Sequence, residues 1–487
     1  MVRTLPHPPT QSEISLSTSP SSSAGSQPKA TLETRDAVGI IVGLVIGAGI
    51  FTLPSLVAKS STDPTIILGL WVLGGVLSII GALCYAELAT SYPNAGGDYF
   101  FLQRAWGRDF AFLFAWARVA VITTGSIAFL AFTFGDYTSK ILSLGPYSSS
   151  IYAVLAVVAL TAINIAGIRE GKSTQNWLTT FEVLGVVAII VAGLFLVAPA
   201  VPMPTKAPDP NAWTPSIGLA LVFVLFAYGG WNEAAYISAE VKNRQGMVKA
   251  LIGSLIIVTI LYFLINLAYI RGLSLQGVAD SRTVAADLLE RSFGATGAIL
   301  ISLIVAISAL TSINATVIVG ARSNFALGRD FPVFGWLGKW NNETGTPTTG
   351  LILQGLVSVA LIGLGTATRQ GLQTMIDYTA PIFWFFFLLV GVGIMVLRQR
   401  EPNIERPFKV PLYPIFPLIL CAMCAYLLYS SLDYAKVGAV VGVGVVLFGL
   451  APLALSHKRK GLAVLFALIG IAVIASGFPA VRTAVFG

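Results

Sequence analysis

Residues 38–54 read VGIIVGLVIGAGIFTLP, an apolar stretch of helical length that holds Gly39, Gly43, Gly47 and Gly49 and ends on Pro54. Each glycine weakens a helix interior by about 1 kcal/mol relative to alanine. The glycines therefore either let a neighbouring helix approach closely or mark a place where the helix breaks. The four-residue spacing of Gly39, Gly43 and Gly47 is the small-xxx-small pattern of helix packing in membranes. Gly47-Ala48-Gly49, with Pro54 beyond, offers little resistance to unwinding. A break at membrane depth is tolerated only where protein or water satisfies the freed backbone groups. A dinucleotide-binding fingerprint is excluded, because these glycines do not lie between a strand and a helix.

The chain around this stretch is made for a bilayer. Of 487 residues, 55% are hydrophobic and 11% charged, against about 25% charged in a soluble domain. Mean hydropathy is +0.81. Apolar runs long enough to cross a membrane fall near 37–58, 65–88, 110–135, 151–167, 176–198, 215–239, 249–270, 295–321, 349–367, 374–397, 411–431 and 434–456, with a further candidate at 461–478. That last run follows Lys458-Arg459-Lys460 and reads as a thirteenth span or as a re-entrant or surface helix. The expected class is an all-α polytopic membrane protein.

Lys and Arg set its orientation. With the N-terminus cytoplasmic, the inner segments hold Arg104, Arg108, Arg169, Lys172, Lys242, Arg244, Lys249, Arg322, Arg329, Lys339, Arg398, Arg400, Arg406, Lys409 and 458–460, whereas the outer loops are poorer. The net charge of +8 is read as topology, so no nucleic-acid partner is expected. The expected location is the plasma (inner) membrane. Residues 1–34, rich in Ser, Thr and Pro, read as a disordered cytoplasmic tail without the apolar core of a signal peptide. The two histidines, His7 and His457, supply neither a metal centre nor a nucleophile relay. Cys84, Cys421 and Cys424 all lie in apolar runs and imply no disulfide framework. An enzyme is not expected, nor a bound cofactor. The spans lack the polar lining of a channel, and no phosphate-binding loop suggests drive by ATP.

A second interruption appears in the sixth span, FVLFAYGGWNEAAYISAE at 223–240, where Gly229-Gly230 is bracketed by Phe226, Tyr228 and Trp231. Breaks in the first and sixth spans are expected of two inverted repeats of five helices with a site at the midplane. Unwinding exposes N–H groups that attract a carboxylate and carbonyls that suit an ammonium group, so facing breaks would hold both ends of an α-amino acid.

With these stretches in hand, the chain resembles the amino acid–polyamine–organocation superfamily, and within it the L-type amino acid transporters and their bacterial relatives. GAGIF, AELATSYPNAGGDYFFLQRAWG after span 2, FAYGGWNEAAYISAEVKN in span 6 and ERPFKVPLYPIFPLI at 405–419 bear the resemblance, which extends over about 35–456. It implies a five-plus-five inverted-repeat core over 35–398, two additional helices over 399–456, and a C-terminal segment, 457–487, that holds the thirteenth candidate. It also implies that the carboxylate-binding stretch falls on Gly47, Ala48 and Gly49, flanked by Ile46 and Ile50. The carbonyl donors and gate fall on Phe226, Ala227, Gly229 and Trp231, with Tyr228 and Gly230 between them.

The sequence departs from that family in three places. A span 5 lysine of many members is replaced by Glu182 in QNWLTTFEVLG. Thr311 and Ser312 in SALTSIN stand where sodium-coupled members of the wider fold ligate sodium. The loop 136–150 lacks the cysteine through which animal members join a partner subunit, so no disulfide-linked partner is expected. Glu182 is accordingly a candidate coupling residue, for H+ as a proton carrier or for Na+ together with Thr311 and Ser312. The alternative is a structural ion pair, with Arg118 in span 3 as the obvious partner. Glu233 and Glu240 share one helix face, Glu240 near the cytoplasmic end. Glu87 and Asp98 read as an inner boundary network, and Asp377 with Pro381 as a further kink. The function expected is a secondary transporter for amino acids, neutral ones first. A polyamine or cationic amino acid carrier is the alternative, and would need Glu233 in the site.

Overall fold

The computed structural model describes residues 33–94, 97–167, 172–200, 216–233, 244–433 and 437–486. Glu240 lies outside them. The chain is a bundle of helices without a named strand among the described residues. In order they are α1 (Thr34–Val45), α2 (Gly49–Ala58), α3 (Pro64–Ser91), α4 (Asp98–Trp106), α5 (Arg108–Ile141), α6 (Ser148–Ile165), α7 (Lys172–Val191), α8 (Ile217–Ala227), α9 (Arg244–Leu273), α10 (Leu275–Asp280), α11 (Val284–Asp330), α12 (Thr348–Ala367), α13 (Gly371–Arg400), α14 (Ile415–Asp433), α15 (Val437–Ser456) and α16 (Lys460–Phe486). Ten described helices are long and apolar enough to cross a membrane, the C-terminal Lys460–Gly477 among them. Three shorter apolar helices, Gly49–Ala58, Thr180–Leu196 and Ile217–Ala227, lie where the sequence places spans 1, 5 and 6.

Local chemistry explains the boundaries. The Asp63 carboxylate accepts from the Thr65 N–H at 2.8 Å, and Pro64 opens α3; this is a capping residue followed by proline at the first helical position. Ser216 caps α8 in the same way, accepting from the Leu219 N–H at 3.1 Å. Gly294, at φ 62°, turns the chain inside α11, so a short helix precedes the long span. Helix α13 runs through Pro381 from 371 to 400. The kink expected at Asp377 and Pro381 does not divide it.

Close approach accounts for Gly74, Gly75 and Gly81 of α3. A Cβ on Gly81 would stand 2.7 Å from the Trp231 ring. Only glycine leaves room there for the segment after α8. Aromatic edges fill the rest: Trp231 meets Tyr85 edge-on at 5.2 Å and Phe387 at 5.8 Å.

Of the two acids read as one boundary network, Glu87 stands in an ion-pair cluster at the end of α3, and Asp98 belongs to a separate group with Arg118. The Glu87 carboxylate, almost fully buried, accepts two hydrogen bonds from Arg398 and one from the Val410 N–H at 2.7 Å, with Arg406 3.6 Å away. Arg398 also lies over the Tyr413 ring at 3.8 Å. Thus one acidic residue near the end of α3 pins the segment 401–414 and the end of α13. Nearby, Arg104 clasps Glu401 at 2.9–3.0 Å, and Tyr92 donates to the same carboxylate at 3.0 Å. Removing one partner of a buried ion pair leaves the other charge uncompensated, at about 3–5 kcal/mol. Glu87→Ala is therefore expected to lower stability by about 3 kcal/mol or more in detergent unfolding. Glu401→Ala, at an exposed pair, should cost about 1 kcal/mol or less.

Candidate functional site

Two apolar helices stop inside the bundle, where the sequence places spans 1 and 6. Helix α1 ends at Val45, and the Ile46 and Gly47 N–H groups bond back to Val42 O (2.7 Å) and Val45 O (2.9 Å). The chain restarts as α2 at Gly49. The Ala48 position provides no side-chain cap for that start, so the first N–H groups of α2 lack the partners an interior turn would supply. Thr52 Oγ donates to the Ala48 carbonyl at 3.1 Å. Helix α8 ends at Ala227; the Tyr228 and Gly229 N–H groups bond to Val224 O (3.0 Å) and Phe226 O (3.1 Å). Gly230 then takes φ 108°, a conformation that favours glycine, and Trp231–Glu233 forms one 3-10 turn.

The two interruptions are neighbours. A Cβ on Gly49 would lie 3.4 Å from the Ala227 Cα. Tyr262, fully buried on α9, donates its hydroxyl toward the Val45 carbonyl at 2.9 Å and the Ala227 carbonyl at 3.1 Å, the last residues of α1 and α8. One side chain thus serves both broken ends. Tyr137 holds the far side of α2 by donating to Phe51 O at 2.7 Å. The space beside Gly47 is open: no atom lies within 4 Å of where its Cβ would be.

The side chains divide by role. Phe226 is half-buried, edge-on to Phe129 at 5.2 Å. Trp231 is buried against α3 and α13 as described. Tyr228 is fully buried, donates to Trp71 O at 2.9 Å, and packs on Tyr262 with ring centroids 4.9 Å apart. Its side chain belongs to the scaffold, leaving only its backbone to the interruption. Ile46 and Ile50 are likewise fully buried.

Glu182 is buried on α7 and accepts a short hydrogen bond from Ser308 on α11. The partner suggested for it by sequence, Arg118, is engaged elsewhere: it pairs with Glu233 at 3.4 Å. Arg118 opens a π-helical turn, Arg118–Ile122, that interrupts α5; such turns recur at functional sites. Ser308, Thr311 and Ser312 are spaced i, i+3, i+4 and so share one helix face. Thr311 donates to its own helix at Ile307 O, 3.0 Å. Sequence reading missed Tyr262 and Ser308. The only signal for either is a polar group in an apolar span, and that class contains many residues with purely local bonds. Cys84 and Cys424 are buried and Cys421 half-buried, all three as free thiols.

Interrupted helices set side by side in an all-α membrane bundle define a transporter fold. Comparison with known proteins agrees. The family model for amino acid permeases matches residues 32–455. The chain is 31% identical over 454 residues to the large neutral amino acids transporter small subunit 2 of Rattus norvegicus, covering 91% of this chain and 84% of that one. It is 28% identical to the serine/threonine exchanger SteT of Bacillus subtilis (strain 168), covering 87% and 96%, and 28% identical to the b(0,+)-type amino acid transporter 1 of Rattus norvegicus, covering 81% and 80%. The chain belongs to the amino acid permease family. It is a multi-pass membrane protein that transports amino acids, and not an enzyme.

Tyr262→Phe removes the hydroxyl shared by the two broken ends. A buried hydrogen bond contributes about 0.5–1.5 kcal/mol, and an orphaned partner costs about 1–3 kcal/mol. The variant should unfold more easily by about 1–3 kcal/mol in a detergent thermal or denaturant assay. Wild-type stability would show that the hydroxyl does not join the ends.

Proposed function

We propose that the protein is a secondary transporter of neutral α-amino acids that binds its substrate between the two helix interruptions. The observation that carries this reading is the adjacency of the uncapped start of α2 to the end of α8. The substrate carboxylate meets the N–H groups of Ala48 and Gly49 at the uncapped start of α2, beside the open space at Gly47, where a helix N-terminus is worth up to about 2 kcal/mol in partly buried surroundings. The ammonium group meets carbonyls around Phe226, Ala227 and Gly229, and Phe226 and Trp231 wall the side-chain end. The relatives' names, a large neutral amino acids transporter subunit and a serine/threonine exchanger, support neutral substrates. The Arg118–Glu233 pair counts against the polyamine or cationic alternative, because Glu233 already has a cation. The protein works in the plasma membrane with its N-terminus cytoplasmic, as the Lys and Arg distribution indicates. It needs no disulfide-linked partner through the cysteine-free loop 136–150.

Coupling is assigned to Glu182, with Thr311 and Ser312 on the neighbouring face of α11. A carboxylate at this depth costs about 2.5–3.5 kcal/mol on insertion scales and is a functional candidate by default. Its burial within the bundle supports a proton carrier; the hydroxyl face supports a sodium site.

Uptake of a labelled amino-acid panel into proteoliposomes, under a proton gradient, a sodium gradient or internal amino acid, tests these assignments together. Saturable uptake of neutral amino acids is expected. Gly47→Val fills open space without a clash and should keep wild-type thermal stability while losing about tenfold or more in affinity, about 1.4 kcal/mol. Unchanged affinity would remove the interruption as the binding site. Glu182→Gln should lose gradient-driven uptake and retain exchange; driven uptake that survives in the variant would release Glu182 from coupling.

A further inference from the structure

The end of the bundle that holds α4 contains a second buried cluster of charge, distinct from the Glu87 network. Asp98, in the first turn of α4, is almost fully buried. Arg118 from α5 and Glu233 from the turn after α8 are the charged groups that act on it, and Tyr85 from α3 and Asn232 approach it as hydrogen-bonding neighbours. Helix α13 also packs on α4, but its basic groups there are committed elsewhere: Arg398 to Glu87, and Arg400 to the Ala105 carbonyl at 2.9 Å. The other polar groups of α4 face outward, Tyr99 to Asp330 at 3.3 Å and Arg104 to Glu401. Two carboxylates therefore share one guanidinium. Arg118 lies 3.4 Å from Glu233, and among the described residues Asp98 Oδ1, buried, has no hydrogen-bond donor of its own.

We infer that Asp98 is a proton-binding site, and that its proton latches α4 onto the turn that follows the interruption of α8. With Asp98 neutral, Arg118 and Glu233 balance, and the acid can itself donate a hydrogen. With Asp98 ionised, the cluster carries one uncompensated negative charge, on a buried Asp98 beside the partly exposed Glu233, and α4 is repelled from Glu233. Burial, then the Glu233 charge, raise the Asp98 carboxyl to about 7 against the lowering pull of Arg118, Tyr85 and Asn232. The latch is thus closed below neutral pH and loosens as pH rises through about 7. Because Glu233 lies three residues beyond Gly230, loosening frees one flank of the proposed substrate site. This inference rests on the transport reading for its consequence but not for its test.

The test is hydrogen exchange of residues 98–106 in the purified full-length protein in nanodiscs at pH 6 and pH 8, corrected for intrinsic rates, beside amino-acid exchange in proteoliposomes with equal pH on both sides. Protection of 98–106 should be several-fold greater at pH 6, and exchange transport correspondingly slower. Asp98→Asn should show the pH 6 protection at both pH values. Glu233→Gln should move the midpoint to lower pH, since it removes a like charge and leaves Arg118 to Asp98; it serves also where the Asp98 variant does not fold. Equal protection at the two pH values in the wild type, an unaltered profile in Asp98→Asn, or an unmoved midpoint in Glu233→Gln overturns the latch. A protection change without any amino-acid exchange would leave the latch standing and overturn the transport reading instead.

Discussion

In a bilayer every backbone polar group must find its partner within the protein, and the interrupted helices α1/α2 and α8 violate that rule twice at one depth. The structure resolves the violation with a single buried phenol. Tyr262 reaches the terminal carbonyls of α1 and α8 together. Around it, Tyr228 is locked to Trp71 and Tyr137 to Phe51. Tyr262 alone serves the two terminal carbonyls, while Tyr228 and Tyr137 fasten the adjoining backbone to α3 and α2. What remains without a fixed partner is the start of α2, beside open space at Gly47. That uncapped start is the feature on which the proposed carboxylate site rests.

Charge is handled by the same economy. The ends of the bundle hold the ion pairs: Glu87 with Arg398 and Arg406, Arg104 with Glu401, and, at the opposite end, Lys140 with Asp287 and Glu290 at 3.1 and 2.8 Å. The exposed pairs among them, of Arg104 and of Lys140, contribute little energy; they fix where segments meet. The buried clusters differ. Glu87 has two arginines and a backbone N–H to itself, whereas Asp98 shares the charge of Arg118 with Glu233. A fully satisfied carboxylate is a fastener, and an undersupplied one responds to its protonation state. Glu182 stands apart from both, alone among apolar neighbours with one serine.

The departures from expectation have physical causes. Arg118 was matched with Glu182 because both are charges in apolar spans, and opposite charges at depth seek each other. The π-helical turn that begins at Arg118 changes which way the following side chains face, and nothing in RVAVI announces it. Tyr228 was placed in the site by its proximity to Gly229-Gly230, yet its side chain packs on Trp71 and Tyr262. A residue adjacent to an interruption contributes backbone to it far more readily than side chain. Ser308 was passed over in favour of Thr311 and Ser312 on the same face, since spacing along a helix identifies a face but not which hydroxyl meets the neighbour.

By itself the sequence determined the medium, the all-α class, and the glycine stretches where α1 and α8 end. These follow from local quantities: apolar length against bilayer thickness, glycine content, and the distribution of Lys and Arg. The tertiary structure decided the pairings, namely Tyr262 across both breaks, Glu182 with Ser308, and Arg118 with Glu233 beside Asp98. Spans that are apolar on every side lack the periodic stripe that tells a soluble helix which way to turn. Their rotation about their own axes is set by packing against neighbours, and only that rotation brings one polar group to another.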